Sequence, residues 1–371
     1  MSEQRRVGRI LTSEGWVSGA LVHDTHVLAI EAGEEAGEDA GEDAPRIIPG
    51  FVDLHVPGGG GADIMEAGDA VRTVARLHAR HGTTSFLPAT VTASREDLEA
   101  ALAAVDAARE DRGDGEARVL GAHMEGPYIN PERLGAQPPH ARDPEPDFVQ
   151  EVCEAGVVKL VTLAPEVAGG MDAIRAFAAA GIAVQIGHTD TDYETACAAL
   201  DAGATGFTHL FNAMSPLHHR APGVTGAALA RSEYAAIIPD GVHVADGALL
   251  AALRAVPRLF AVTDATAAAG MPDGAYPLGE HTVTKRGDSV FLGEDTLAGS
   301  ALTMDAAFVR LRALGLEVDD VSRRLSTYPA DFIGRRDRGR IAPGAWADFV
   351  ILDPDERIAA VVVEGEEIAL S

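Results

Sequence analysis

Residues 183–212 read AVQIGHTDTDYETACAALDAGATGFTHLFN. Two short apolar runs, AVQIG and GFT, each end on a histidine, His188 and His209, and an Ala-rich stretch of helical character lies between them. Apolar strand, polar exit, helix, apolar strand is the unit that builds a parallel sheet. The unit recurs outward in both directions. Strand candidates begin at residue 50 (GFVDLHV), 84 (TSFLPAT), 119 (VLGAHMEG), 158 (VKLVTLAPE), 183 (AVQIGH), 206 (GFTHLFN), 235 (AAIIPDGVHV) and 259 (LFAVTDA). Eight strands alternating with helical segments predict an α/β fold, a (β/α)8 TIM barrel spanning residues 49–334. The alternative, a doubly wound sheet, would carry a phosphate turn after an early strand; GGGG at 58–61 follows a strand but lacks the GxGxxG spacing.

The flanks read differently. WVSGALVHD and HVLAIEAG near the start, and GRIAPGAWADFVILDPDERIAAVVVEGEEIAL near the end, are short alternating runs joined by turn residues. Residues 1–48 and 335–371 are predicted to pair into one small β-sandwich beside the barrel. The acidic, low-complexity run EAGEEAGEDAGEDAP at 31–45 is predicted to be a solvated loop or short helix in that module.

Composition excludes several roles. The formal net charge is −27 and the lysines are Lys159 and Lys285, so no basic stripe exists to neutralise phosphates and nucleic acid is not an expected partner. No apolar run reaches the roughly 18 residues of a membrane span, and MSEQRRVGRI lacks the apolar core of a signal peptide, so no membrane association and a cytoplasmic location are expected. Cys153 and Cys197 stand in helical patterns without a CxxC neighbour and read as plain thiols. An anionic ligand would be repelled at long range by this charge and would need a local cationic pocket.

Polar side chains gather where the predicted strands end. His55, Thr90, Glu125, Glu166, His188, His209, His243 and Asp264 each fall at or near the exit of a different strand, the face on which barrel active sites are built. Alone, any one reads as a core histidine or surface acid. Together, Glu125, His188 and His209 supply a carboxylate and two imidazoles, a recurrent catalytic set for a divalent ion with one position left to water. Asp264 is suited to move the proton; its competing reading is a helix N-cap. His123 shares a face with Glu125 and is either a ligand or a neighbouring partner. His81 reads as structural, and His140, His218 and His219 as solvated loop residues.

The strings PGFVDLHVPGGGGAD, HMEGPYIN, GAQPP, GHTDTDYE, THLFNAMSP, DGVHV, VTDATAAAG and LAGSALTM, in this order over residues 49–305, resemble the N-acetylglucosamine-6-phosphate deacetylase family of the amidohydrolase superfamily. The resemblance implies hydrolysis of N-acetyl-D-glucosamine 6-phosphate to D-glucosamine 6-phosphate and acetate, at a linear amide bond, in amino-sugar catabolism or recycling. It places the metal set on Glu125, His188 and His209 and the catalytic carboxylate on Asp264. Sugar and phosphate contacts fall on Ala136, Gln137, Asn212, Ala213, Arg220, Asp240, Gly241, Val242, His243, Leu297, Ala298 and Gly299. A homodimer, with a neighbouring subunit closing the phosphate pocket, is implied as well.

Two positions depart from the pattern. Pro57 stands where many amidohydrolases carry the second histidine of HxH, and proline cannot ligate. One divalent ion per subunit is therefore expected, zinc first and then iron, manganese or cobalt, with His55 an auxiliary ligand or a hydrogen-bonding neighbour. Gln137 stands where other members have histidine; its amide can donate a hydrogen bond to the acetyl oxygen but carries no charge. A deacetylase of the galactosamine epimer, and a non-catalytic scaffold of the same fold, are the competing readings.

Overall fold

The computed structural model describes residues 2–33 and 44–370, so most of the acidic run at 31–45 lies outside the described residues. The central strands are runs buried on both faces, as a covered parallel sheet requires. They are β1 (Phe51–Val56), β2 (Thr83–Thr90), β3 (Ala122–Glu125), β4 (Val158–Leu163), β5 (Ala183–Ile186), β6 (Gly206–Phe207), β7 (Tyr234–Ile237) and β8 (Arg258–Ala261). Strands β1 to β6 pair in sequence order as one parallel sheet, and β7 pairs with β8. Backbone bonds extend from both edges: Leu210 N donates to Ala236 O at 2.8 Å, and Asp264 N donates to His55 O at 3.0 Å.

Helices fill the connections from Ala70–Arg80 to Asp246–Ala255. The second, Arg95–Glu110, shows why. Ser94 accepts from Asp97 N as its N-cap, acids occupy its first turn, and Leu98, Ala101, Leu102, Val105 and Ala108 form one buried stripe. Among the described residues no helix is long and apolar enough to cross a membrane.

The two ends of the chain pair into one continuous seven-stranded sheet. Arg46–Pro49 is its hinge, parallel to Gln4–Thr12 on one side and antiparallel to Phe349–Leu352 on the other. Alternation does the rest. Ile10, Leu21, Ile47, Phe349 and Val362 enclose a small core of their own, while Leu11, Ile48, Val350 and Val361 join the large central core.

A third unit was not anticipated from the sequence. Gly274–Leu278, His281–Arg286, Ser289–Leu292 and Thr296–Ser300 form an antiparallel meander after β8. It has its own core of Ala268, Leu278, Val283, Val290 and Ala298 against Val91, and it brings Leu278, Leu297 and Gly299 to the cavity described below.

The terminal sheet is fastened to the centre by buried charge. Arg338, 2% exposed, pairs with Asp348 and Glu364 and stacks over Trp346; Glu364 also accepts from Arg118 Nε and Nη2, both at 2.7 Å. Removing one member of such a group leaves an uncompensated buried charge, which costs roughly 3–5 kcal/mol. Arg338→Met is expected to lower the denaturant midpoint accordingly; a midpoint equal to wild type would show the cluster to be dispensable.

Candidate metal centre

Three strand exits converge on one point. Glu125 closes β3, while His188 and His209 lie two residues beyond β5 and β6. His188 Nε2 is 3.3 Å and His209 Nε2 3.2 Å from Glu125 Oε1, and the two nitrogens are 3.1 Å apart. Donors bonded at about 2.0–2.2 Å in a tetrahedron stand roughly 3.3–3.6 Å from one another, so the set has the size of a divalent-ion site. It is the group of metal-capable side chains found among the described residues.

The donor chemistry fits as well. His188 Nδ1 lies 2.8 Å from the carbonyl of Arg133, which can only accept, so the proton sits there and the Nε2 lone pair faces His209. Lone pairs and a carboxylate pointing at one spot need a cation between them. Burial alone would push the Glu125 carboxyl up, but His55 and His188 outweigh it and hold it well below the usual carboxylate range. Burial likewise lowers His55, yet Glu125 and Asp264 carry it up to about 9. The negative potential of the centre therefore draws positive charge.

Strain is concentrated here. Of the eight non-glycine residues with positive φ among the described residues, five are His188, His209, Phe211, Ala213 and Asp264. Such backbone costs of order 1–3 kcal/mol per residue and persists where surrounding structure fixes it, typically at functional sites.

A cavity of about 150 Å³ opens onto the three donors. Its wall includes Ala136, Gln137, Asn212, Ala213, His243, Leu297, Gly299 and Asp264 from the expected set, together with Pro57, Val91, Ile238, Thr266 and Leu278. The Asp264 side chain is 14% exposed and its Oδ1 is 3.5 Å from His55 Nε2. No helix begins after it, which removes the N-cap reading. Its position is fixed from beneath: Thr263 Oγ1 donates to the buried Asp53 carboxylate at 2.6 Å, and His55 N donates to the same group at 3.2 Å.

The remaining expected residues separate. Asp240 Oδ2 is 2.6 Å from His243 Nδ1 and accepts the Val242 and His243 amides through Oδ1, so Asp240, Gly241 and Val242 shape the loop behind His243. Burial lowers His243, but Asp240 outweighs it and raises its pKa. Ala298 is buried in the meander core. Arg220 is exposed, 2.7 Å from His219 Nε2, and is not part of this cavity wall.

His55 is buried and, among the described residues, has no hydrogen-bond partner on either ring nitrogen; its Nε2 lies 3.4 Å from Glu125 Oε2. His123 is resolved as a structural neighbour: its ring nitrogens meet Leu54 O at 3.0 Å and Thr162 Oγ1 at 2.7 Å, leaving no lone pair for a metal. Glu166 accepts from Asn130 Nδ2, Thr189 Oγ1 and Asp190 N at 2.6–2.9 Å, tying the β4 exit to the chain beside His188. Sequence reasoning placed Glu166 at a strand exit but gave it no task. Gln137 lines the cavity, and its amide nitrogen donates to Glu125 Oε2.

Comparison with known proteins gives a consistent picture. The profile of the amidohydrolase family matches residues 46–368. The N-acetylglucosamine-6-phosphate deacetylase of Bos taurus is 38% identical over 97% of this chain and 92% of its own length. An N-acetylgalactosamine-6-phosphate deacetylase of Escherichia coli O157:H7 is 36% identical over 99% of each. A structure of the Mycobacterium smegmatis N-acetyl-D-glucosamine-6-phosphate deacetylase, an aspartate-to-alanine mutant in complex with N-acetyl-D-glucosamine-6-phosphate, superposes with a TM-score of 0.92 at 36% identity, covering both chains fully.

Proposed function

This chain belongs to the amidohydrolase family, and from that membership we propose that it hydrolyses N-acetyl-D-glucosamine 6-phosphate to D-glucosamine 6-phosphate and acetate. The observation that carries this reading is the joining of the Glu125, His188 and His209 donors to the Asp264 carboxylate in one small cavity. The relatives named above as N-acetylglucosamine-6-phosphate deacetylases support this substrate class.

Glu125, His188 and His209 would hold a divalent ion, zinc first among zinc, iron, manganese and cobalt. Such an ion supplies Lewis-acid polarisation and makes water acidic enough to attack near neutral pH. Asp264 takes the proton from the attacking water and returns it to the departing amine nitrogen. His55 faces both carboxylates, 3.4 Å from Glu125 Oε2 and 3.5 Å from Asp264 Oδ1. Leu278 and Leu297 give the cavity wall an apolar lining. His243, whose pKa Asp240 raises against the effect of burial, offers a donor to the phosphate.

Pro57 lies in the cavity wall and brings no ligand, which supports a single ion per chain. Metal analysis of the purified protein is expected to return about one tightly held divalent ion per chain; two would overturn this. We read β1–β6 and the β7–β8 pair as one closed (β/α)8 barrel over residues 49–334, with residues 1–48 and 335–371 as the accessory module. The edge bonds Leu210–Ala236 and Asp264–His55 support closure. A cytoplasmic homodimer is proposed too: Leu217 is 56% exposed on the loop carrying Arg220, a surface suited to contact a second copy.

The 36% identity to an N-acetylgalactosamine-6-phosphate deacetylase supports a second reading, the epimeric substrate. Acetate release from both sugar phosphates, measured side by side, decides. Higher kcat/KM on the glucosamine epimer is expected; the reverse order reassigns the substrate, and release from neither refutes deacetylation.

A further inference from the structure

Two of the three metal donors are aimed by one stretch of chain. Residues 130–137 follow the β3 exit and return beneath the centre: Asn130 N donates to His188 O, Arg133 O holds His188 Nδ1, and Gln137 reaches Glu125. Gln137 is the informative member. Thr92 N donates to its Oε1 at 2.6 Å, and a backbone N–H can only donate, so the amide oxygen must face Thr92. The amide nitrogen is then compelled to face Glu125, where it donates to Oε2. Oε1 is left to the histidines, at 3.2 and 3.3 Å.

We infer that Gln137 is a positioning residue of the metal centre, locking the Glu125 carboxylate so that Oε1 serves as the ligand while Oε2 is held aside. This rests on the Glu125, His188 and His209 reading above. It assigns Gln137 a task distinct from touching the acetyl group. The amide is buried and both its ends are committed to the protein, and a carboxylate free to rotate would present either oxygen to the ion. Partners of this kind tune metal affinity because they fix ligand orientation before the ion arrives. A neutral imidazole could make the same two bonds, accepting from Thr92 N–H at one nitrogen and donating to Glu125 from the other. The position is thus served by Gln or His and not by an apolar side chain.

The test is titration of metal-free protein with Zn²⁺ against a chromophoric chelator. Gln137→Leu and the unbranched Gln137→Met, which serves if the leucine variant does not fold, are expected to bind Zn²⁺ about 10–100-fold more weakly than wild type. Gln137→His is expected to remain within about threefold. Metal-free melting temperatures are expected to fall in Leu and Met, which leave the buried Thr92 N–H unpaired, and the Zn²⁺-induced rise above each variant's own metal-free value shrinks in Leu and Met only. Affinities of the Leu or Met variant equal to wild type, or a His variant as weak as Leu, would overturn the assignment. Glu125→Ala in the same titration separates the two levels: if it binds Zn²⁺ as tightly as wild type, the metal site itself is misassigned.

Discussion

Glu125→Ala is expected to yield a folded protein that retains no stoichiometric metal and releases no measurable acetate. Glu125 Oε1 lies 3.3 Å from His188 Nε2 and 3.2 Å from His209 Nε2, and loss of this carboxylate leaves two imidazoles that attract an ion far less. Loss of an ion that supplies several kcal/mol of transition-state stabilisation corresponds to about a thousandfold or more in rate. Three measurements decide: metal content after desalting, acetate release, and melting temperature with and without added Zn²⁺. Wild-type metal content in the variant would move the site elsewhere. Retained turnover without metal would refute the mechanism.

Asp264→Asn separates proton transfer from binding. Asparagine keeps the shape and the backbone bonds to His55 and Ser300 but cannot accept a proton. Loss of a placed acid–base group costs roughly 10²–10⁴-fold in turnover. Metal content is expected to stay near wild type, and the sugar phosphate to bind with little change, so kcat falls while KM hardly moves. A variant within tenfold of wild-type kcat would pass the proton to another group; a variant that loses metal would make Asp264 a ligand.

Much of this site was legible because strand exits are readable. Apolar runs ending on His188 and His209 place those rings on one face of a parallel sheet whatever the loops do. Glu125 follows from the same rule, and the alternation of the terminal runs foretold their pairing. What stayed hidden depends on chain segments far apart in sequence. Thr92 and Gln137 are 45 residues apart and meet only when two loops pack, so no local pattern announces their bond. His123 could not be decided until Leu54 O and Thr162 claimed its nitrogens. The meander was different. TVTKRGDSVF alternates and turns at Gly287, φ 61°, but once eight strands had been counted nothing obliged a further sheet. Arg338 has no role legible in the sequence; its burial follows from Asp348 and Glu364 arriving from the last strands.

The seam at Arg46–Pro49 has a temporal consequence. One edge of this strand is covered by Gln4–Thr12 almost as soon as both leave the ribosome, but its other edge waits for Phe349–Leu352. At about 5–20 residues per second, that interval of some 300 residues lasts roughly 15–60 s. Throughout it, the nascent chain presents an open β-edge with Ile47 and Ile48 beside it, a template for pairing with a neighbouring chain. Production of this protein should therefore be limited by how well that edge is shielded during synthesis, and truncation before residue 349 should yield aggregates even though every proposed metal ligand is already present.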